Sequence, residues 1–175
     1  MSKIKLFLIL SGYQITWLAC VFGEKFYQEP LSGFFCGLVF IIVYIFNVND
    51  YKIFFLIVLL ISLPGYFFDS IIVYFKIYEF NSDIVIGFLP IWMIVLWLSF
   101  ATLFYEVFIF LKNYQIIGIS LSTFLGPLTY YSGEIIGIIK IYEIKLFLFF
   151  MIIFWFLLMI FYLKLILKKI DYSTG

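Results

Sequence analysis

Three carboxylic acids interrupt otherwise apolar stretches of this sequence: Asp69, Glu106 and Glu134. An ionisable group at membrane depth costs about 2.5–3.5 kcal/mol on insertion scales, so each needs a physical reason to be there. No lysine is expected at the same depth. Such an acid is then protonated and hydrogen-bonded, lines a wet cavity, or holds a cation. Asp69 has the strongest local support. Ser62, Gly65 and Asp69 fall within about 60° on a helical wheel, and Pro64 beside them removes one helical hydrogen bond. Two readings follow: a cavity wall, or an acid satisfying backbone groups near the outer interface. Asp69 and Glu134 are the candidate proton sites. On the cavity reading, Asp69→Asn keeps size and hydrogen bonding and so keeps the fold while abolishing activity; on the structural reading Asn is nearly silent and Leu destabilises.

Glu106 continues a stripe with Trp92, Ser99 and Thr102, about 80° wide. A polar stripe on a lipid-surrounded helix faces protein or water, and helix–helix hydrogen bonding is the plainer use of it. In the fifth apolar stretch, Gly118, Ser122, Gly126, Thr129, Gly133 and Gly137 lie within about 100° of one another. Small residues so aligned let a neighbouring helix approach closely. Gly118, Ser122, Gly126, Gly133 and Gly137 are therefore packing candidates, and the stretch is expected at the centre of the bundle. Packing leaves unexplained the cluster of Thr129, Tyr130, Tyr131, Ser132 and Glu134 after Pro127. In the first stretch Gln14 lies near mid-membrane and should hydrogen-bond across helices.

The elements that must position these groups follow from composition. Of 175 residues, 66% are hydrophobic and 12% charged, against about 45–50% and 25% in soluble domains. Too little polar surface exists to face water all round. At roughly 20 residues per span, the chain is expected to be an all-α membrane protein, a single domain over 1–175 with six transmembrane helices near 4–22, 31–47, 53–75, 84–111, 115–139 and 146–167. Seven lysines (3, 5, 52, 112, 164, 168, 169) fall on one side and four (25, 76, 140, 145) on the other, which places both termini in the cytoplasm. The segment 84–111 is long enough to begin as an interfacial stretch before Pro90.

Several function classes are excluded. All eleven basic residues are lysine, and there is no histidine. Histidine-ligated metals and Ser–His or Cys–His catalysis are absent, as are bidentate arginine clamps. The formal charge of +1 offers no attraction for nucleic acid. No metal or cofactor is expected, and Cys20 and Cys36 read as packed thiols rather than a redox motif. Lys3, Lys5 and Leu18-Ala19-Cys20 imitate a lipoprotein signal but carry Trp17 where Leu is preferred. Much of the Phe content reads as codon bias at lipid-facing positions.

The order of features is itself distinctive: Tyr13-Gln14-x-x-Trp17, Gly65-x-x-x-Asp69, Pro90-x-Trp92 with Leu96-Trp97-x-x-Phe100-Ala101, then Gly126-Pro127-Leu128-x-Tyr130-Tyr131-x-Gly133-x-x-x-Gly137. This resembles the bacterial inner-membrane family known as domain of unknown function 2878, with Ser11 where Asn is usual. The resemblance implies a small multi-pass protein of the bacterial inner membrane and a tilt towards lipid-related work. It implies no activity, and does not extend to Glu106 or Glu134.

The expected function is a carrier or membrane-embedded binding protein for a small or lipidic molecule, held in the bilayer. Its cavity would be lined by Gln14, Asp69, Trp92, Trp97, Tyr130 and Tyr131. The alternatives are a lipid-modifying enzyme or its accessory subunit, and a scaffold that grips a membrane-protein partner through its small-residue face.

Overall fold

A computed structural model describes residues 3–167; Lys168 and Lys169, counted above for orientation, lie outside the described residues. Six α-helices form the body: α1 (Lys3–Phe22), α2 (Pro30–Ile45), α3 (Tyr51–Tyr74), α4 (Ile91–Glu106), α5 (Gln115–Ile136) and α6 (Ile144–Phe161). Local signals set their ends. Asp50 caps α3, its Oδ1 accepting the Ile53 N–H at 3.0 Å, as a short acidic side chain does for an orphan helix donor. Gly137 ends α5 in the left-handed region at φ 87°. There the Ile138 N–H donates to Gly133 O at 3.0 Å and the Gly137 N–H to Glu134 O at 2.9 Å, the paired bonds of a glycine-terminated helix.

Among the described residues three helical segments are long and apolar enough to cross a membrane: Lys3–Tyr27, Tyr51–Tyr74 and Ile144–Lys164. They mark the chain as a membrane protein. Two shorter apolar helices, α2 and α4, pack beside them. α5 has comparable length at 22 residues, but Ser, Thr and Gly replace much of its lipid-type surface.

The expected purely helical fold is corrected at one end. Four short strands occur there: β1 (Tyr78–Phe80), β2 (Val85–Ile86), β3 (Leu89–Pro90) and β4 (Ile139–Ile141). β2 and β3 form a tight hairpin through Gly87 at φ 66°. The expected segment 84–111 is therefore a hairpin, a 16-residue helix and a 3-10 turn. Pro90 separates the first two, because it has no N–H for a helical bond and fixes its own φ. β1 pairs antiparallel with β4, Tyr78 opposite Ile141, joining the α3–α4 connection to the α5–α6 connection. Together these segments form a cap.

The expected central position of α5 is also corrected. α4 holds the centre, against α1, α2 and α3, while α5 packs chiefly on α6. Ile116, Phe124, Leu128 and Ile135 of α5 are exposed, because a helix with one small-residue face presents its bulky residues elsewhere. The α5–α6 pair meets the first four helices through large rings rather than close backbone approach. Phe68 stacks on Phe154 at 4.0 Å and Phe104 meets Tyr162 edge-on at 4.7 Å.

Candidate functional site

Asp69 is fully buried and receives hydrogen bonds from three separate elements. Tyr78 Oη on β1 donates to Oδ1 at 2.6 Å. Trp97 Nε1 on α4 donates to Oδ2 at 2.6 Å. Tyr130 Oη on α5 lies 2.9 Å and 2.8 Å from Oδ1 and Oδ2. Three neutral donors converge on one acceptor pair, so both oxygens of this buried side chain are partnered. Burial, followed by the charge of Asp69, holds the Tyr78 hydroxyl well above the ordinary phenol range, so this cap residue stays a donor.

The Gly65-x-x-x-Asp69 spacing now has a physical meaning. One helical turn separates the two residues, so they share a face. A Cβ at Gly65 would lie 2.4 Å from Trp97 Cε3. Gly65 thus admits the indole ring, and Asp69 accepts its N–H. A second glycine repeats the device. A Cβ at Gly126 would lie 2.3 Å from the Trp155 ring, and Trp155 stacks on Trp97 with centroids 5.7 Å apart and planes 21° apart.

Beside this stack lies a cavity of about 90 Å³. Tyr13 and Trp17 of α1 form one wall, Trp92, Trp97 and Phe100 of α4 another. Thr129, Tyr130 and Gly133 of α5 and Trp155 of α6 face them, under Phe80 of the cap. All four tryptophans of the chain line it. Towards the cap is a polar recess of about 490 Å³ containing Glu24, Lys25, Asn81, Ser82 and Asp83, with Ile138 common to both spaces. Trp92 links the two, its Nε1 donating to Glu24 Oε2 at 2.6 Å, where Ser82 Oγ also donates at 2.8 Å.

The structure therefore brings Trp92, Trp97 and Tyr130 to the cavity wall and leaves out Gln14 and Tyr131; Asp69, expected in the lining, instead stands behind it, as the acceptor that orients Trp97 and Tyr130. Gln14 is exposed, because Tyr13 and Trp17, one turn apart, take the inward face of α1. Tyr131 is 43% exposed, since it sits about 100° around α5 from the inward Tyr130. Of the two proton-site candidates, Glu134 is half-buried and its Oε1 accepts the Ile141 N–H at 3.1 Å, so it serves the α5–β4 connection and not the cavity.

Among the packing residues, Gly118 abuts Leu111, Gly126 abuts Trp155 and Gly133 abuts Ile139. Ser122 Oγ donates to the Ile119 carbonyl and, at 3.4 Å, to Trp155 O. Gly137 is instead a helix terminator beside Lys25. The expectation that no lysine lies at the depth of the acids is corrected at Glu106 alone. Lys5 Nζ lies 2.6 Å from Glu106 Oε1, because both are at the end of the bundle opposite the cap. Asp69→Asn is not the gentle change expected. An amide would turn donors towards a ring of donors, and the Trp97 N–H can only donate.

Sequence reasoning missed Tyr78, Trp155 and Glu24 as site residues. Tyr78 had no helical phase relation to Asp69, and Trp155 lay in an unbroken apolar run. Glu24 read as a loop charge. Among the described residues no group of three His, Cys, Asp or Glu is placed to hold a metal. No curated protein and no solved structure is significantly similar to the chain. The family model for proteins of unknown function DUF2878 matches residues 6–161, which spans the helices carrying this site, and the chain belongs to that family.

Proposed function

We propose that this is a multi-pass protein of the bacterial inner membrane, with six spans and both termini cytoplasmic, that binds a small lipidic molecule as a membrane-embedded binding protein or carrier. The observation that carries the reading is the aromatic cavity walled by all four tryptophans, with a polar recess beside it that shares Ile138. An apolar chamber with a few placed polar groups, next to a polar vestibule, suits a molecule with a greasy body and a polar end. The seven-to-four lysine asymmetry supports the orientation and puts the cap on the outer face. Asp69 ties α3, α4, α5 and the cap together, so a proton taken up there would loosen four elements at once; this is the carrier form of the proposal. Both oxygens of Asp69 are occupied by donors, which disfavours it as an enzyme's general base. The small-residue face of α5 is covered from within the chain, by Leu111, Trp155 and Ile139, which disfavours a scaffold that grips through it.

Intrinsic fluorescence reads the cavity directly, because every tryptophan borders it. Titration of the protein in lipid nanodiscs with bromocyclohexane, an uncharged ring of a size for the chamber, should quench in a saturable manner, since bromine quenches only at short range. Quenching that rises linearly with bilayer mole fraction, with no saturation, would refute binding in the cavity.

A further inference from the structure

We infer that the molecule bound in this cavity is an uncharged, oxygen-bearing hydrocarbon that accepts a hydrogen bond from the Trp155 indole N–H. The inference rests on the cavity-binding reading above and gives its ligand a chemistry. Three indoles in the site are buried, Trp92, Trp97 and Trp155. The N–H groups of the first two are each taken by a carboxylate. Trp155 is 8% exposed and its Nε1 has no hydrogen-bond partner among the described residues. Leaving a buried donor unpaired is costly, and native structures rarely do so without cause. The ring is also held in place, by Gly126 on one side and the Trp97 stack. The donor is therefore pre-oriented, which reduces the ordering cost of a ligand that uses it.

The chemistry of the walls restricts that ligand. An indole N–H only donates, so the ligand must supply an acceptor. Among the described residues no lysine lines the cavity, and both oxygens of Asp69 are already engaged. An anion would find no countercharge. A cation could use the ring faces but could not accept from Trp155. A water would need two to four polar partners, and the wall around Trp155 is mostly aromatic and aliphatic. A neutral carbonyl, ester or hydroxyl oxygen on a hydrocarbon satisfies the donor and the walls together. At about 90 Å³ the chamber takes a ring or a chain end.

The test uses two ring probes that differ in the acceptor alone, cyclohexanone and cyclohexane, compared at equal micellar mole fraction. The readout is the four indole N–H resonances of protein labelled with 15N-tryptophan, assigned by single Trp→Phe variants. Cyclohexanone should move the Trp155 resonance downfield and saturably, and should bind Trp155→Phe about tenfold more weakly, the value of one buried hydrogen bond. Cyclohexane should move cavity resonances without that downfield shift and lose less than about twofold on the same variant. Should Trp155→Phe disturb the fold, shown by displacement of the other three resonances, the comparison of the two probes on the unaltered protein decides alone. Saturable binding of both probes with equal affinity and no downfield shift would overturn this inference and leave cavity binding standing. No saturable effect of either probe on any indole would overturn both.

Discussion

Replacing Asp69 by leucine tests the centre of the structure. Leucine keeps the branched outline of aspartate, with two larger methyl groups for its oxygens, but accepts no hydrogen bond. The change strands the Tyr78 and Tyr130 hydroxyls and the Trp97 N–H, all buried. Each unpaired buried donor costs about 1–3 kcal/mol, a sum of about 3–9. The tyrosine hydroxyls can rotate towards other acceptors, whereas the Trp97 ring is pinned by Gly65 and by Trp155. The lower half of the range is therefore expected, about 4 kcal/mol. For a chain of this size that lowers Tm by roughly 10 °C, at about 2–4 °C per kcal/mol. The assay is thermal unfolding in detergent, followed by tryptophan emission. A second arm adds Tyr78→Phe and Tyr130→Phe to the leucine variant. Removing both members of a buried hydrogen bond is nearly neutral where removing one is not, so this triple variant should regain half or more of the loss. A leucine variant that melts within about a degree of the parent, or a triple variant less stable than the single one, would refute the claim that these donors hold the bundle through Asp69.

Other expectations follow from the same contacts. Gly126→Leu should lower folded yield sharply and Gly65→Ala should cost about 1–3 kcal/mol by thermal melting, since each added atom meets a pinned indole ring. Trp92→Phe breaks the link to Glu24 and should raise the rate at which a water-soluble quencher such as acrylamide reaches the remaining tryptophans, with a fall in Tm because a buried ring also loses volume. Lys5→Met leaves Glu106, 15% exposed, without its cation; a loss of about 1–2 kcal/mol is expected, and Lys5→Met with Glu106→Leu should recover most of it. A reporter fused after Gly175 should be active only if it is of the cytoplasmic type; periplasmic phosphatase activity there would sink the proposed orientation.

The helices were legible because apolar run length and breaker residues are local properties. Pro90 divides its segment for a reason visible in a single residue, whereas Gly137, grouped with the packing face, is a helix terminator. The β1–β4 pair was not legible, because three-residue strands carry no period and their partners lie some sixty positions apart. The acid at 69 could be singled out by its cost in lipid, and Trp92, Trp97 and Tyr130 by their company. Their convergence could not, since it depends on which faces of α4 and α5 turn inward. Gln14 shows the limit most clearly: polarity marked it for the interior, but its two aromatic neighbours filled that face. Gly126 announced close approach without saying that an indole, rather than another backbone, would occupy the space.

The pairing of β1 with β4 bears on how the chain is made. Synthesis runs from the N-terminus, so Asp69 enters the membrane before any residue that will bond it. Tyr78 follows within a few residues and Trp97 one helix later, but Tyr130 and β4 emerge only with the fifth helix and the connection after it. Until then the third helix carries an acid whose donors are incomplete, and the cap has one strand without its mate. A nascent chain stalled after α4 is thus expected to hold the acid loosely, and its release to be the point at which the first four helices cease to be a substrate for membrane quality control.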